Sequence, residues 1–229
     1  LRIRHLRIYL VSNYTYWNLW TTPIFESFDD EYETIREDAV QYCISKHGGQ
    51  ERSHVAFGIK SKLYDSIFIL LKDSDKSSIK HIENKMKTTF EDIFLNYFQS
   101  GHYPTPIPDY HEIFSRTYVD VQMEESWVHM SNDKGSWHGM HDHPMTSWAG
   151  IYYLKVEDVK GNGGHNLIRQ PYKNMYKDFG SFFQQDFVVK EMIPENGKMV
   201  FFPANLLHNA TPYYGEQMRI VIASNINVY

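Results

Sequence analysis

The chain has 229 residues, of which 42% are hydrophobic and 16% aromatic, which is enough for one globular domain with a sizeable core. The formal net charge is −5 and no long basic run occurs, so we expect neither a nucleic-acid partner nor a membrane partner. The single cysteine excludes an intrachain disulfide framework and predicts a cytoplasmic location. Residues 1–11 are too short and too charged for a membrane span or a signal peptide, and we expect a terminal strand or tail there.

Two helices are predicted in the first half of the chain. Residues 27–47 carry an apolar stripe, with Ser27 or Asp29 as the N-cap and two glycines after the last helical residue. Residues 77–100 repeat apolar side chains at three- and four-residue steps, the spacing of one buried helical face. Three prolines within residues 104–108 then indicate a rigid connection.

The second half consists of short segments rich in Val, Ile, Tyr, Phe and Trp, separated by Gly, Pro, Asn and Asp. Such segments predict the antiparallel strands of a sandwich or barrel, with the helices packed on the outside of one sheet. We expect a single domain over residues 1–229, helix-rich over about 1–108 and β-rich over about 110–229. The predicted strands are 112–123, 125–130, 147–156, 164–170, 186–193, 198–203 and 217–228.

A histidine-rich motif precedes the third of these strands and reads H-x-H-P at residues 141–144. Side chains two apart in a strand point to the same face, so His141 and His143 are expected to present their imidazoles to one metal ion. His208, which follows an apolar strand and a proline, is the natural third ligand. Imidazole suits iron, zinc, copper and nickel, so the ligand type alone does not select the metal.

The order of these elements resembles 2-oxoglutarate/Fe(II) oxygenases, in particular those of phage and marine-bacterial type with an H-x-H-P motif, and the prolyl hydroxylases. The pieces that carry the resemblance are the H-x-H-P motif, an Ile-Tyr-Tyr-Leu strand at 151–154, a Gly-Gly-His-Asn-Leu segment at 163–167, a Gly-Lys-Met-Val-Phe-Phe-Pro segment at 197–203, His208 and Arg219. The resemblance covers about residues 110–229. It implies a double-stranded β-helix, also called a jelly roll or cupin-like fold, and an oxidoreductase that uses Fe(II) and 2-oxoglutarate.

The resemblance also implies roles for individual residues. His141, His143 and His208 take the places of the iron ligands, and these three histidines are the expected catalytic centre. Arg219, eleven residues after the last histidine, takes the place of the arginine that binds the C5 carboxylate of 2-oxoglutarate. Tyr153 matches a tyrosine that hydrogen-bonds the same carboxylate. An arginine in an otherwise apolar strand needs an anionic partner, and its planar fork fits a carboxylate.

Ser224 lies on the same strand as Arg219 and is expected to line the cosubstrate pocket. The metal motif departs from the superfamily, which mostly uses H-x-D or H-x-E, because His143 occupies the carboxylate position. Three neutral imidazoles leave the site one negative charge short. Asp142 is expected to face away from the metal, and His138 is a reserve ligand.

The expected reaction is hydroxylation of an unidentified small molecule or peptide, with release of succinate and CO2. Two alternatives stay open at this point. One is a three-histidine cupin-like dioxygenase that does not use 2-oxoglutarate, and the other is a metal-stabilised binding module without catalytic activity, whose coordination shell would be closed. The helical half is suited equally to a peptide groove or to a homodimer interface.

Overall fold

The computed structural model describes residues 22–47, 59–60, 62–63, 71, 74–99, 119–131, 134–169 and 189–229. These residues form two helices and two antiparallel β-sheets that face each other. The helices are α1 (Tyr32–His47) and α2 (Ser77–Gln99). The strands are β1 (Phe25–Phe28), β2 (Ile59–Lys60), β3 (Lys62–Leu63), β4 (Val121–Ser131), β5 (Ser136–His141), β6 (Trp148–Lys155), β7 (Asn166–Arg169), β8 (Val189–Met192), β9 (Lys198–Pro203), β10 (His208–Tyr213) and β11 (Arg219–Val228).

The larger sheet has six strands in the order β1-β9-β6-β11-β4-β3, and the smaller sheet has five in the order β2-β5-β10-β7-β8. Neighbouring strands come from distant parts of the sequence, as in a Greek-key arrangement in which the chain alternates between the two sheets. The architecture is the expected one: mainly β, a double-stranded β-helix with helices on one sheet.

One core lies between the helices and the outer face of the six-stranded sheet. Phe90 of α2 contacts the rings of Trp148 and Phe201 at centroid distances of 5.3 and 5.2 Å. Cys43 is fully buried in this core as a small apolar side chain, and burial raises the pKa of its thiol to about 12. The helices therefore support the sheet from the side opposite to the second sheet.

A second core lies between the two sheets, and strict alternation separates it from the first. Ile220 and Ile222 of β11 pack toward the helices, whereas Val221 packs between the sheets. In the same way Tyr152 of β6 faces the helices and Tyr153 faces the second sheet. This period of two is the geometry of a strand buried on both faces.

The strand β4 contains a β-bulge that changes which side chains face inward. Asn225 pairs with Glu125 while Ile226 pairs with Met123, so Glu124 is the extra residue. Before the bulge Met123 packs toward the helices, and after it Trp127 lines the space between the sheets. A bulge inserts one residue and thereby switches the face on which later side chains lie.

Several predicted boundaries were wrong. Residues 25–28 form β1, and α1 begins only at Tyr32; Asp29 is the residue that accepts a hydrogen bond from the Glu31 amide, at 3.0 Å. The segments predicted as 112–123 and 125–130 are one strand from residue 121, since a bulge does not interrupt pairing. Two short polar strands, β5 and β10, were not among the predicted strands. Residues 1–11, 104–118 and 170–188 lie outside the described residues.

In the described part of the chain, neither helix combines the length and apolar character that crossing a membrane requires.

Candidate active site

A cavity with about 620 Å³ of empty space, its open mouth included, lies between the two sheets. Its walls carry an unusual concentration of imidazole rings, one buried guanidinium group and a floor of apolar side chains. The histidines are 129, 138, 141, 143 and 208, and the apolar floor includes Ala149, Ile151, Phe202, Val221 and Ala223. The guanidinium belongs to Arg219.

Three of these histidines converge. One nitrogen from each of His141, His143 and His208 lies within 4.8 Å of the others, a grouping that can hold a metal ion. His141 is the last residue of β5 and pairs directly with His208, the first residue of β10. His143 lies two residues beyond the end of β5, and its backbone N–H donates to the carbonyl of Ala204 at 3.0 Å. The expected convergence is therefore present, but a turn rather than strand alternation produces it.

Each of the three rings is oriented through its Nδ1 atom. Nδ1 of His141 contacts the Gly139 carbonyl at 2.8 Å, and Nδ1 of His208 contacts the Leu206 carbonyl at 2.9 Å. A carbonyl oxygen only accepts, so both Nδ1 atoms carry the proton. Nδ1 of His143 contacts Oδ1 of Asn225 at 2.6 Å. Such contacts fix the tautomer and leave Nε2 as the lone-pair atom of each ring.

The lone-pair atoms face one another. Nε2 of His143 and Nε2 of His208 are 3.2 Å apart, and with both Nδ1 atoms protonated neither Nε2 has a proton to share. Two nitrogens bound at right angles to one ion at ~2.1 Å would lie ~3.0 Å apart. The arrangement is unfavourable for two neutral rings alone and fits a shared cation.

Burial keeps these imidazoles neutral, which is the form that binds metals. It lowers the pKa of His143 to about 4 and that of His208 to about 3, and it lowers the pKa of His141 as well. Neighbouring imidazoles act in the same direction at His143 and His208. Asp142 is exposed and does not belong to the cluster.

Two further histidines and a tryptophan complete this side of the cavity. His138 stacks on His141 with ring centroids 4.0 Å apart, and it does not belong to the converging group. Nε1 of Trp127 donates to Nε2 of His129 at 2.6 Å, and the Trp127 ring stacks on His143 at 5.5 Å. Both Trp127 and His129 form part of the cavity wall.

The buried guanidinium of Arg219 has almost no partner among the described residues. Only 4% of the residue is exposed, its Nε has no hydrogen-bond partner, and Nη2 makes one long contact of 3.5 Å to Oδ1 of Asn166. Burial lowers the pKa of the guanidinium, but an arginine stays charged in a protein. A buried charge without an anion is costly, so this end of the cavity fits an anionic ligand.

A glycine makes room for this guanidinium. Gly164 has a φ of +77°, and a Cβ atom placed there would lie 3.1 Å from Cδ and from Nε of Arg219. The same Cβ atom would lie 3.1 Å from Cδ2 of Tyr213. The left-handed backbone and the lack of a side chain together let the Gly164 backbone approach the Arg219 side chain closely.

Two of the residues expected to bind the cosubstrate do not line the cavity, unlike Arg219. Tyr153 is fully buried outside the cavity lining, and its hydroxyl donates to Oδ1 of Asn166 at 2.9 Å. Asn166, which sequence reasoning missed, lines the cavity and contacts both Tyr153 and Arg219. The expectation for Ser224 needs correction: its hydroxyl donates to the Glu125 carbonyl at 3.0 Å and the residue is not part of the lining. Alternation along β11 turns its side chain toward the helices.

Residues 125–225 match a family model described as putative 2OG-Fe(II) oxygenase. The matched span runs from β4 to β11 and contains all three converging histidines and Arg219. A comparison with the curated proteins finds no match.

Solved structures share the fold. A prolyl-4-hydroxylase from Pseudomonas putida is 12% identical, with 90% of this chain and 93% of that chain covered at a TM-score of 0.53. A prolyl hydroxylase from Trichoplax adhaerens, in complex with a hypoxia inducible factor oxygen degradation domain peptide fragment, is 13% identical, with 90% and 84% covered at 0.56. The non-heme alpha ketoglutarate dependent epimerase of nogalamycin biosynthesis is 12% identical, with 90% and 77% covered at 0.54.

The family match over the cavity-forming strands agrees with the histidine cluster and with the double-stranded β-helix. Residues 125–225 thus match the 2OG-Fe(II) oxygenases, oxidoreductases that use Fe(II) and 2-oxoglutarate, and the three-histidine cluster in this span fits the binding of iron.

Proposed function

We propose that His141, His143 and His208 bind the Fe(II) ion and that Arg219 binds the C5 carboxylate of 2-oxoglutarate. The reaction is hydroxylation of a small molecule or a peptide. When bound, the metal and 2-oxoglutarate supply the oxidising chemistry: O2 is consumed, 2-oxoglutarate becomes succinate and CO2, and one oxygen atom goes to the substrate.

The observation that carries the metal assignment is the pair of opposed lone-pair nitrogens. His143 and His208 direct their Nε2 atoms at each other at 3.2 Å, while their Nδ1 protons are committed elsewhere. A cation between them turns an unfavourable contact into two metal–ligand bonds. Three protein ligands also leave coordination positions for a chelating cosubstrate, as an open catalytic site requires.

The assignment of Arg219 follows from the lack of an anion beside its guanidinium among the residues that the structure describes. A carboxylate in the cavity would accept hydrogen bonds from the guanidinium, including Nε, which has no partner among the described residues. Asn166 and Tyr153 act with it in this proposal: the Tyr153 hydroxyl holds Oδ1 of Asn166, which in turn contacts Nη2 of Arg219. The tyrosine thus positions the binding residues and acts on the cosubstrate through Asn166.

The apolar floor offers water no hydrogen-bond partner between the two polar ends of the cavity. Phe202 lies edge-on to His208 at a centroid distance of 4.8 Å, and Ile151 and Val221 extend this floor. A dry cavity strengthens the electrostatic attraction between Arg219 and a carboxylate. It also limits access of water to the reacting atoms.

The substrate enters on the side of Trp137, which lines the cavity and is 38% exposed. The Trichoplax adhaerens relative was solved with a peptide fragment, which supports a peptide as one class of substrate for this chain. The single cysteine supports a cytoplasmic location. The proposal also includes a homodimer, which a measurement of the oligomeric state in solution would test.

Thermal unfolding with Mn(II), as an inert substitute for Fe(II), tests both binding roles. We expect 2-oxoglutarate to raise the melting temperature only when the metal is present, because a ligand that binds the folded state stabilises it. Arg219→Ala should abolish the 2-oxoglutarate shift and keep the metal shift. Arg169→Ala, at an exposed arginine of β7, is the matched control and should keep both.

Succinate release with Fe(II) and O2 then tests the reaction itself. We expect 2-oxoglutarate turnover by the wild-type protein and none by His208→Ala. A metal shift without any response to 2-oxoglutarate would instead support a three-histidine dioxygenase that acts without this cosubstrate. Loss of the 2-oxoglutarate shift in Arg169→Ala, with retention in Arg219→Ala, would contradict the assignment of the carboxylate site.

A further inference from the structure

The three converging histidines are not oriented in the same way. His141 and His208 each use a backbone carbonyl two residues earlier in the chain, at Gly139 and Leu206. These acceptors are fixed by the local backbone and are independent of side-chain identity. His143 instead uses the side chain of Asn225, 82 residues away on β11. The histidine at the position where most relatives have a carboxylate is thus the one held by a side chain.

Asn225 is itself oriented by a carboxylate. Its Nδ2 donates to Oε2 of Glu125 at 2.6 Å, and its Oδ1 faces Nδ1 of His143 at 2.6 Å. Rotation of the amide by 180° would put Oδ1 against a carboxylate oxygen, with two acceptors in contact. Glu125 therefore fixes the amide, the amide fixes the proton of His143 on Nδ1, and the lone pair of His143 is left on Nε2.

The bulge in β4 makes this contact chain geometrically feasible. Asn225 and Glu125 are directly paired across β11 and β4 at the bulge, where Glu124 is the extra residue. The extra residue places the Glu125 side chain on the cavity side of the sheet, together with Trp127 and His129. Without the insertion, alternation would direct the Glu125 side chain toward the helices.

We propose that Glu125 and Asn225 are positioning residues of the metal centre, which hold His143 in its metal-binding tautomer and supply from a distance the negative charge that the three-histidine ligand set lacks. The inference rests on the proposed role of His143 as a metal ligand. A carboxylate that polarises a ligand's N–H makes that ligand more basic, and such outer partners affect metal affinity strongly. Relatives with a carboxylate ligand place that charge on the metal directly.

The tautomer can be measured without any metal. In the metal-free protein labelled with ¹⁵N-histidine, we expect His143 to carry its proton on Nδ1 in the wild type. Asn225→Leu removes the acceptor and should shift His143 toward the Nε2-protonated form. Asn225→Asp faces Glu125 with a second carboxylate, and the double variant N225D/E125Q relieves this repulsion because the amide introduced at position 125 donates to the new carboxylate.

Co(II) affinity, from the absorption of the bound ion in competition titrations, is the second readout. We expect Asn225→Leu to bind Co(II) ~10–100-fold more weakly than the wild type. Asn225→Asp should also bind more weakly, and N225D/E125Q should recover at least wild-type affinity. Asn227→Leu is the matched control, because the Asn227 amide oxygen accepts from Thr146 and Ser147. It should lower stability and leave the His143 tautomer unchanged.

Two results would overturn the inference. One is a wild-type His143 protonated on Nε2 in the metal-free protein. The other is equal Co(II) affinity in the wild type and in Asn225→Leu. A wild-type protein that binds no Co(II) would instead refute the proposed metal site, while the tautomer measurement would still decide the role of Asn225 and Glu125. If Asn225→Leu does not fold, the comparison of Asn225→Asp with the double variant gives the answer.

Discussion

Arg219 should lower the stability of the ligand-free protein. Its guanidinium is buried, and within the part of the chain that the structure describes its Nε has no partner and its contact to Asn166 is 3.5 Å long. Methionine has a similar length and no charge, so Arg219→Met keeps the packing of the stem and removes the desolvated cation. Replacement of buried ionic groups by apolar residues of similar volume is often stabilising by ~1–4 kcal/mol. We expect a gain at the lower end of this range, because the Asn166 contact partly compensates the charge.

A gain of ~1–2 kcal/mol corresponds to a rise of ~2–8 °C in melting temperature for a chain of this size. Differential scanning calorimetry of the metal-free protein measures it, and 2-oxoglutarate added to the Mn(II)-loaded variant should produce no further shift. Arg219→Lys separates charge from shape, since a buried ammonium keeps the penalty and lacks the bidentate fork. If ligand-free Arg219→Met melts below the wild type, the guanidinium is well paired without a ligand, and the reasoning is refuted.

Three further predictions concern the same site and its support. His143→Asp should retain metal binding and 2-oxoglutarate turnover, because it restores the common ligand set. His143→Ala should instead lower the metal content measured after dialysis, and full metal affinity in this variant would show that His143 is not a ligand. Gly164→Ala should lower the free energy of unfolding by ~1–3 kcal/mol at a φ of +77° and raise the Kd for 2-oxoglutarate, since its Cβ would lie 3.1 Å from Arg219. Calorimetry measures both quantities, and an unchanged Kd would show that Gly164 does not affect how Arg219 binds 2-oxoglutarate. Phe90→Ala should lower the free energy of unfolding by ~3–5 kcal/mol in urea titrations without changing the Kd for 2-oxoglutarate, because Phe90 packs on the face of the six-stranded sheet opposite to the cavity. A higher Kd for 2-oxoglutarate would show that the helices shape the cavity.

The elements that sequence patterns predicted well are those whose burial alone determines their pattern. The strands β6, β9 and β11 are buried on nearly every residue, and near-continuous apolar runs located them to within two residues. The helix α2 shows the same agreement, because one buried face repeats every three or four residues over 23 positions. Such patterns are properties of a single segment and require no knowledge of its neighbours.

The strands β5 and β10 carry no such pattern. Residues 136–141 read Ser-Trp-His-Gly-Met-His and residues 208–213 read His-Asn-Ala-Thr-Pro-Tyr, which resemble loops in composition. They are strands because they pair with each other and with β2 and β7, at a sheet that lines a polar cavity. Pairing between segments some 70 residues apart cannot be inferred from the composition of either one.

Part of the site was accessible from sequence and part was not. The sequence was sufficient to predict the converging group and the buried cation, from the spacing of His141 and His143, the distant His208 and the arginine in an apolar strand. Their roles in binding Fe(II) and 2-oxoglutarate remain predictions that the proposed experiments address. Asn166, by contrast, was missed because its importance comes from two contacts made across the fold.

Ser224 and Asn225 show how much a single strand pattern can predict about a site residue and its contacts. Both are polar residues in an apolar strand, which is the only sequence signal that either offers. Alternation from Arg219 would have placed Asn225, six positions later, on the cavity face and Ser224 on the opposite one. The sequence could therefore have separated the two, but the link from Asn225 to Glu125 depends on a bulge in β4 that no local pattern indicates.

The candidate centre connects the two sheets. His141 and His208 lie on strands of the five-stranded sheet, Arg219 and Asn225 lie on β11 of the six-stranded sheet, and His143 lies in the connection that passes from one sheet to the other. A metal held by all three histidines would join the five-stranded sheet to this connection, and the contact of His143 with Asn225 extends the link to β11. The six-stranded sheet is supported by helices on its outer face, so it provides a fixed frame for Arg219 and Asn225. Metal binding should therefore stabilise the packing of the two sheets as well as the three side chains, and a ligand at 1,000 times its Kd contributes ~4 kcal/mol to the folded state.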